Sequence, residues 1–153
     1  MKNFAKIVTT IALAGFATPA MAQLEPYTDY TVSDSVSSVT TVKVNANMMD
    51  HYLEGLRKTW VTTNEMSKEM GHIESYAIYV SDLPASGDFN LLLVVRFANT
   101  ADLAPNKARY EAFMREWGEA NKLENEEITA TVYPDLREIT GEYLLRELRM
   151  KPE

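Results

Sequence analysis

The sequence predicts one α+β domain in the order β-α-β-β-α-β, a four-stranded antiparallel sheet with two helices on one face. Three observations predict it. The stretch Phe89–Ala98, FNLLLVVRFA, is apolar at both odd and even positions, so as a strand it needs cover on both faces and belongs inside a sheet. Just before it, Ile73–Asp82, IESYAIYVSD, is set off by LPASG, whose Pro84 and Gly87 mark a turn, and two strands this close make an antiparallel hairpin. Two amphipathic stretches, Met48–Met70 and Asn106–Asn121, flank that hairpin.

The chain opens with Lys2 and Lys6, an apolar run Ile7–Phe16 and the small-residue site Ala20-Met21-Ala22, the three parts of a secretory leader cleaved after Ala22. A membrane anchor needs about 20 apolar residues, and this run is shorter and broken by Thr9, Thr10 and Thr18-Pro19. Cleavage leaves 131 of the 153 residues, enough for one domain with a substantial core. No later segment is apolar and long enough to span a bilayer, so a soluble product is expected.

Losing the two leader lysines takes the net charge from −7 to −9, with histidine neutral. That balance argues against nucleic acid and anionic membrane as partners, since both are bound by clustered Lys and Arg. Cysteine is absent, which removes disulfides, thiol nucleophiles and thiolate metal sites. An exported fold without cysteine fits a bacterial periplasm, or secretion, better than a disulfide-rich pathway.

Residues 23–38, rich in Thr, Ser and Asp, read as an extended N-terminal arm. The folded domain is expected over 39–150. From Val39, VTTVKVNAN alternates with period two and β-branched residues, a half-buried strand. Asn47 stands at the helix N-cap position with Asp50 three residues on. The helix follows on Met49, Tyr52, Leu53, Leu56, Trp60, Met66 and Met70, with the β-branched cluster Thr59–Thr63 marking a bend and Gly71 the stop.

In the hairpin, pairing Ser81 with Phe89 sets Glu74 opposite Arg96, Tyr76 opposite Val94 and Ile78 opposite Leu92, an opposite-charge match that supports the register. A slip of one residue would reverse every face. Thr100 is a candidate cap before the second helix, where Tyr110, Phe113, Met114 and Trp117 recur at helical spacing. KLENEEIT reads as an acidic, solvated connection leading to Tyr133-Pro134. Leu136–Met150 fits a helix through Leu136, Ile139, Tyr143 and Leu148, or a strand through Ile139, Gly141, Tyr143 and Leu145; the sheet's need for a fourth member selects the strand.

No GxSxG elbow, SxxK pair, P-loop or GxGxxG occurs, so no catalytic residue is assigned. His51 and His72 are the two imidazoles, 21 apart and without HExxH spacing, so no metal site and no cofactor are expected. Glu124, Glu126 and Glu127 lack the pattern of a calcium loop. Arg96, a cation in an apolar central strand, is either an anchor for an anionic or carbonyl ligand beside Lys43, Tyr76 and Asn45, or the cross-strand partner of Glu74. His51 and His72 complete the ligand-binding candidates.

The element order is that of the ferredoxin-like split βαβ fold, and with its two-sided apolar third strand the chain resembles the dimeric α+β barrel superfamily over about Val39–Met150. That resemblance implies a homodimer closed through open sheet faces. Members include cofactor-independent oxygenases, haem-degrading enzymes and peroxidases, and also binding or regulatory modules. The haem degraders carry a histidine on the second helix near an asparagine and a tryptophan; here that helix has Trp117 and no histidine, so haem chemistry is not implied. The expectation is an exported dimeric domain that binds a small molecule or a partner without catalysis, with a cofactor-independent oxygenase or isomerase as the alternative.

Overall fold

The computed structural model describes residues 23–83 and 86–152. The expected leader, 1–22, and Pro84 of the hairpin loop lie outside the described residues. The elements run β1 (Tyr30–Val44), α1 (Met49–Leu56), a π-helical turn (Arg57–Val61), α2 (Thr62–Glu69), β2 (Ser75–Val80) and β3 (Leu91–Phe97). A 3₁₀ turn (Thr100–Leu103) leads to α3 (Lys107–Trp117), α4 (Glu119–Glu127), a second π-helical turn (Ile128–Val132), α5 (Tyr133–Leu136) and β4 (Arg137–Met150). The sheet order is β2-β3-β1-β4 and every pair is antiparallel. This is the ferredoxin-like fold, with β1 and β3 inside the sheet as the sequence predicts.

β1 begins at Tyr30 rather than Val39, because the second half of the arm finds a partner at the chain's other end. Tyr30, Thr31 and Val32 pair with Met150, Arg149 and Leu148. A bulge follows between Val32 and Val36. Its carbonyls are not left bare: Arg146 Nη1 donates to Ser33 O at 2.9 Å and to Asp34 O at 3.1 Å. Lys151 N–H donates to Asp29 O at 2.9 Å, and the Lys151 ammonium bonds Tyr27 O.

The first helical layer is one run from α1 through the π turn to α2. Its N-cap is Met48, which makes no side-chain cap bond. The expected cap, Asn47, instead sits at φ 65°, a turn conformation asparagine tolerates. The β-branched cluster expected to mark a bend overlaps the π turn. There Thr62 Oγ1 donates to Arg57 O at 2.9 Å, five residues back, while Thr59 and Thr63 hydroxyls donate to Gly55 O and Thr59 O at 3.1 and 2.8 Å. Threonine hydroxyls thus bond helix carbonyls at and around the wide turn. Gly71, at φ 71°, ends the run as predicted.

The hairpin register is one residue off the expected one. Ser75 lies opposite Arg96, Tyr76 opposite Val95 and Ile78 opposite Leu93. The charge match survives in another form, because Glu74 stands just before β2, its N–H bonding Arg96 O and its carboxylate meeting Arg96 Nε at 2.8 Å. Tyr76, Ile78 and Val80 therefore join Leu91, Leu93 and Val95 on the helix-covered face.

The second layer departs further from expectation. Asn99, not Thr100, caps the 3₁₀ turn, and Asn106 caps α3 through Arg109 N–H at 3.0 Å. At Gly118, φ 75°, the chain turns and starts α4 instead of a loop, so KLENEEIT is helical. Ile128 packs against the core, which gives this acidic stretch an inner side. β4 is the strand that sheet completion demanded. The core is Val42, Val44, Tyr52, Leu56, Leu91, Leu93, Tyr133 and Leu136, all between helices and sheet.

Candidate functional site

The residues singled out in sequence are not brought together. Lys43 Nζ donates to Ser86 O at 2.6 Å and Gly87 O at 2.7 Å, holding the hairpin loop. Asn45 Nδ2 donates to Asp135 O at 2.9 Å, tying the end of β1 to α5. His51 is exposed and lines a surface groove with Glu54, Lys58, Ile128 and Val132. His72 lies 6.4 Å from the Phe113 ring, and burial, aided by the Arg109 charge, holds its pKa below the usual imidazole value.

Tyr76 and Arg96 were expected on one open face, and the register separates them. The Tyr76 hydroxyl, on the helix side, donates to Glu65 Oε2 at 2.6 Å, the main reason its pKa is raised, and its ring stands edge-on to Trp60 at 5.4 Å. Arg96, on the other side, donates from Nε to Glu74 and from Nη2 to Ser35 Oγ at 3.0 Å.

The uncovered face consists of three rows across the four strands. Tyr79, Leu92, Thr41 and Gly141 form one, Ala77, Val94, Val39 and Tyr143 the next, and Ser75, Arg96, Ser37 and Leu145 the third. Tyr79, Tyr143 and Leu145 are exposed, and the rest of its apolar residues are half-buried.

The opposite face holds a cleft of about 310 Å³ between helices and sheet. Sequence reasoning missed it because four distant segments build it. Val42 and Leu93 form its floor, Leu56 and Trp60 one wall, and Thr40, Thr63, Asn64, Asn125 and Glu142 are among its polar rim. Asn125 Nδ2 reaches Thr63 Oγ1 across the rim at 3.5 Å, joining the two helical layers.

Two buried phenols and a guanidinium occupy the deep end. The Tyr52 and Tyr133 rings meet edge-to-face at 5.1 Å. Thr59 Oγ1 lies 2.5 Å from the Tyr133 hydroxyl. Either hydroxyl can donate in this bond, and Thr59 Oγ1 also bonds Gly55 O at 3.1 Å. Gly55 lets Tyr133 come this close, since a Cβ there would stand 2.8 Å from Tyr133 Cε1. Arg137, the first residue of β4, lies over the Tyr133 ring at 5.2 Å. Burial raises both phenol pKa values, opposed at Tyr52 by the Arg137 charge and by a side-chain hydrogen bond from Arg137. Both tyrosines thus stay protonated near neutral pH. Arg137 Nε is buried and has no hydrogen-bond partner among the described residues.

No protein-family model matches the chain, and no curated protein matches it. Among solved structures it is similar to a NIPSNAP-family protein of unknown function from Agrobacterium tumefaciens, at 16% identity, over 81% of this chain and 97% of that one, with a TM-score of 0.51. It is also similar to a protein from Shewanella oneidensis (12% identity, 79% and 99% covered, TM-score 0.48). A third is a dimeric protein of unknown function with a ferredoxin-like fold from Bacteroides fragilis (10% identity, 76% and 98% covered, TM-score 0.43). At these identities the likeness is one of fold.

Proposed function

We propose that this chain is a small exported domain that pairs with a second copy through its uncovered sheet face and binds a small molecule in the cleft between helices and sheet. The cleft carries the reading: an apolar floor with a few convergent polar groups at its deep end is the ordinary makeup of a ligand site, and its volume is of that order. Export rests on the leader grammar at 1–22, with cleavage after Ala22 into a periplasm or the medium. The dimer rests on the uncovered rows, where Tyr143 and Leu145 are exposed and Val39, Leu92 and Val94 half-buried, so that each would gain a part of the roughly 1.5–3 kcal/mol that full burial of an exposed apolar side chain is worth.

Binding is favoured over a cofactor-independent oxygenase. Neither His51 nor His72 lines the cleft, and burial raises the pKa of its two phenols above their ordinary value, further from use as a base. Native mass spectrometry of the protein, produced with its own leader and recovered from bacterial periplasm, tests all three parts. The expected species lacks residues 1–22, has twice the subunit mass, and releases a small molecule on denaturation. A full-length monomer with nothing bound would overturn the proposal.

A further inference from the structure

We infer that the cleft takes a small carboxylic acid with an apolar body, its carboxylate set against Arg137. This rests on reading the cleft as a ligand site and names the chemistry it selects. The deciding feature is the guanidinium. Its Nε is buried without an acceptor, and none of the ion pairs among the described residues includes Arg137. A buried charged donor left unmade costs more than a neutral one, so Nε lacks an acceptor that the described residues do not supply.

Nearby protein groups are poor substitutes. The Tyr52 hydroxyl bonds the Arg137 side chain only as a neutral acceptor, and neither it nor the Tyr133 hydroxyl partners Nε. The face of the Tyr133 ring under Arg137 offers π density and no lone pair. A carboxylate is an acceptor-only group, planar and matched to the guanidinium fork. Charge selects it over phosphate. One arginine with Glu142 on the rim offers one positive charge against one negative, and the chain as a whole is acidic, which suits a singly charged head better than a doubly charged one. Behind the head, Val42, Leu56, Leu93 and the Trp60 ring offer mainly apolar surface and no charge, which sets the body of the ligand: a ring or short chain, with no further charge.

Isothermal calorimetry on the mature dimer with 3-phenylpropanoate, its amide and its alcohol tests this, because the three share one skeleton. The acid is expected to bind at least roughly tenfold tighter than the other two. Arg137→Gln is expected to lower the acid to the affinity of the amide and leave the amide unchanged, and Arg137→Lys to keep part of the preference, as a point charge without the fork. Circular dichroism of both variants establishes that they fold. Amide and alcohol binding as well as the acid, or the Gln variant holding the acid as tightly as the parent, would overturn the carboxylate assignment and leave the cleft reading standing. Failure of all three to bind would overturn both.

Discussion

The hydroxyls of Thr59 and Tyr133, 74 residues apart in sequence, meet at 2.5 Å in the core. Thr59 lies in one π-helical turn and Tyr133 directly follows the other, so this bond locks the two helical layers above the cleft. Thr59→Val leaves a buried phenol without its partner and is expected to cost about 1–3 kcal/mol, whereas Tyr133→Phe removes the phenol hydroxyl and leaves Thr59 its bond to Gly55 O, at a cost of about 1 kcal/mol. The double variant should be less destabilised than the two losses added together. Urea denaturation of the four proteins measures the cycle, and simple additivity would mean the bond contributes nothing of its own.

Gly55 is the weak point of α1 by propensity, and Ala would normally stabilise a helix there by up to about 1 kcal/mol. Tyr133 reverses the sign. With a new Cβ 2.8 Å from Cε1, Gly55→Ala is expected to destabilise by about 1–3 kcal/mol through overpacking. In Gly55→Ala/Tyr133→Leu, where the ring is gone, the alanine penalty should largely vanish. Thermal unfolding of the two alanine variants beside their glycine parents reports it.

Tyr52 and Tyr133 give the protein an alkaline limit. Unfolded, such phenols titrate near 10.0, and folded they titrate higher because burial disfavours the phenolate. Between those two values the folded state binds more protons, so stability is intact below about pH 10 and falls as pH rises through the folded pKa values. Urea midpoints from about pH 8 to pH 11 should show that decline, and Tyr52→Phe should make it shallower. A Tyr52→Phe variant with an undiminished alkaline slope would rule these phenols out as its source.

Val94 occupies the centre of the uncovered rows, between Ala77 and Val39. Val94→Asp places a charge there without touching the helix-side core. The expected outcome in sedimentation is a folded monomer where the parent is a dimer, with 3-phenylpropanoate binding retained because the cleft is on the other side of the sheet. A Val94→Asp protein that still sediments as a dimer would place the interface elsewhere.

Much of the fold was legible because its strongest signals are local. The two-sided grease of Leu91–Phe97 required an interior strand, and the threonine cluster announced the irregular turn. The hairpin register was not legible, since Glu74 reaches Arg96 equally well from opposite it or from one residue before β2; long side chains make that charge match blind to a one-residue slip. Helix α4 was hidden by Lys122–Glu127, whose polarity looks like a loop until Ile128 supplies the inner contact. The cleft was illegible for a different reason. Tyr133-Pro134 resembles a turn, Arg137 a strand opening and Thr59 a bend, and only the packing of both helical layers onto β1 and β4 makes them neighbours.

The two π-helical turns have a consequence for how this site could be switched off in a lineage. Each amounts to one surplus residue in an otherwise regular helix. Deleting Lys58 would let Arg57–Val61 relax into an ordinary α-helix, a change the helix tolerates, while turning Thr59 relative to one flank by about 100°. Tyr133 would lose its hydroxyl partner and the cleft its shape, with the strands and the uncovered sheet face untouched. The shape of the cleft and the sheet that carries it are thus separable by a single codon.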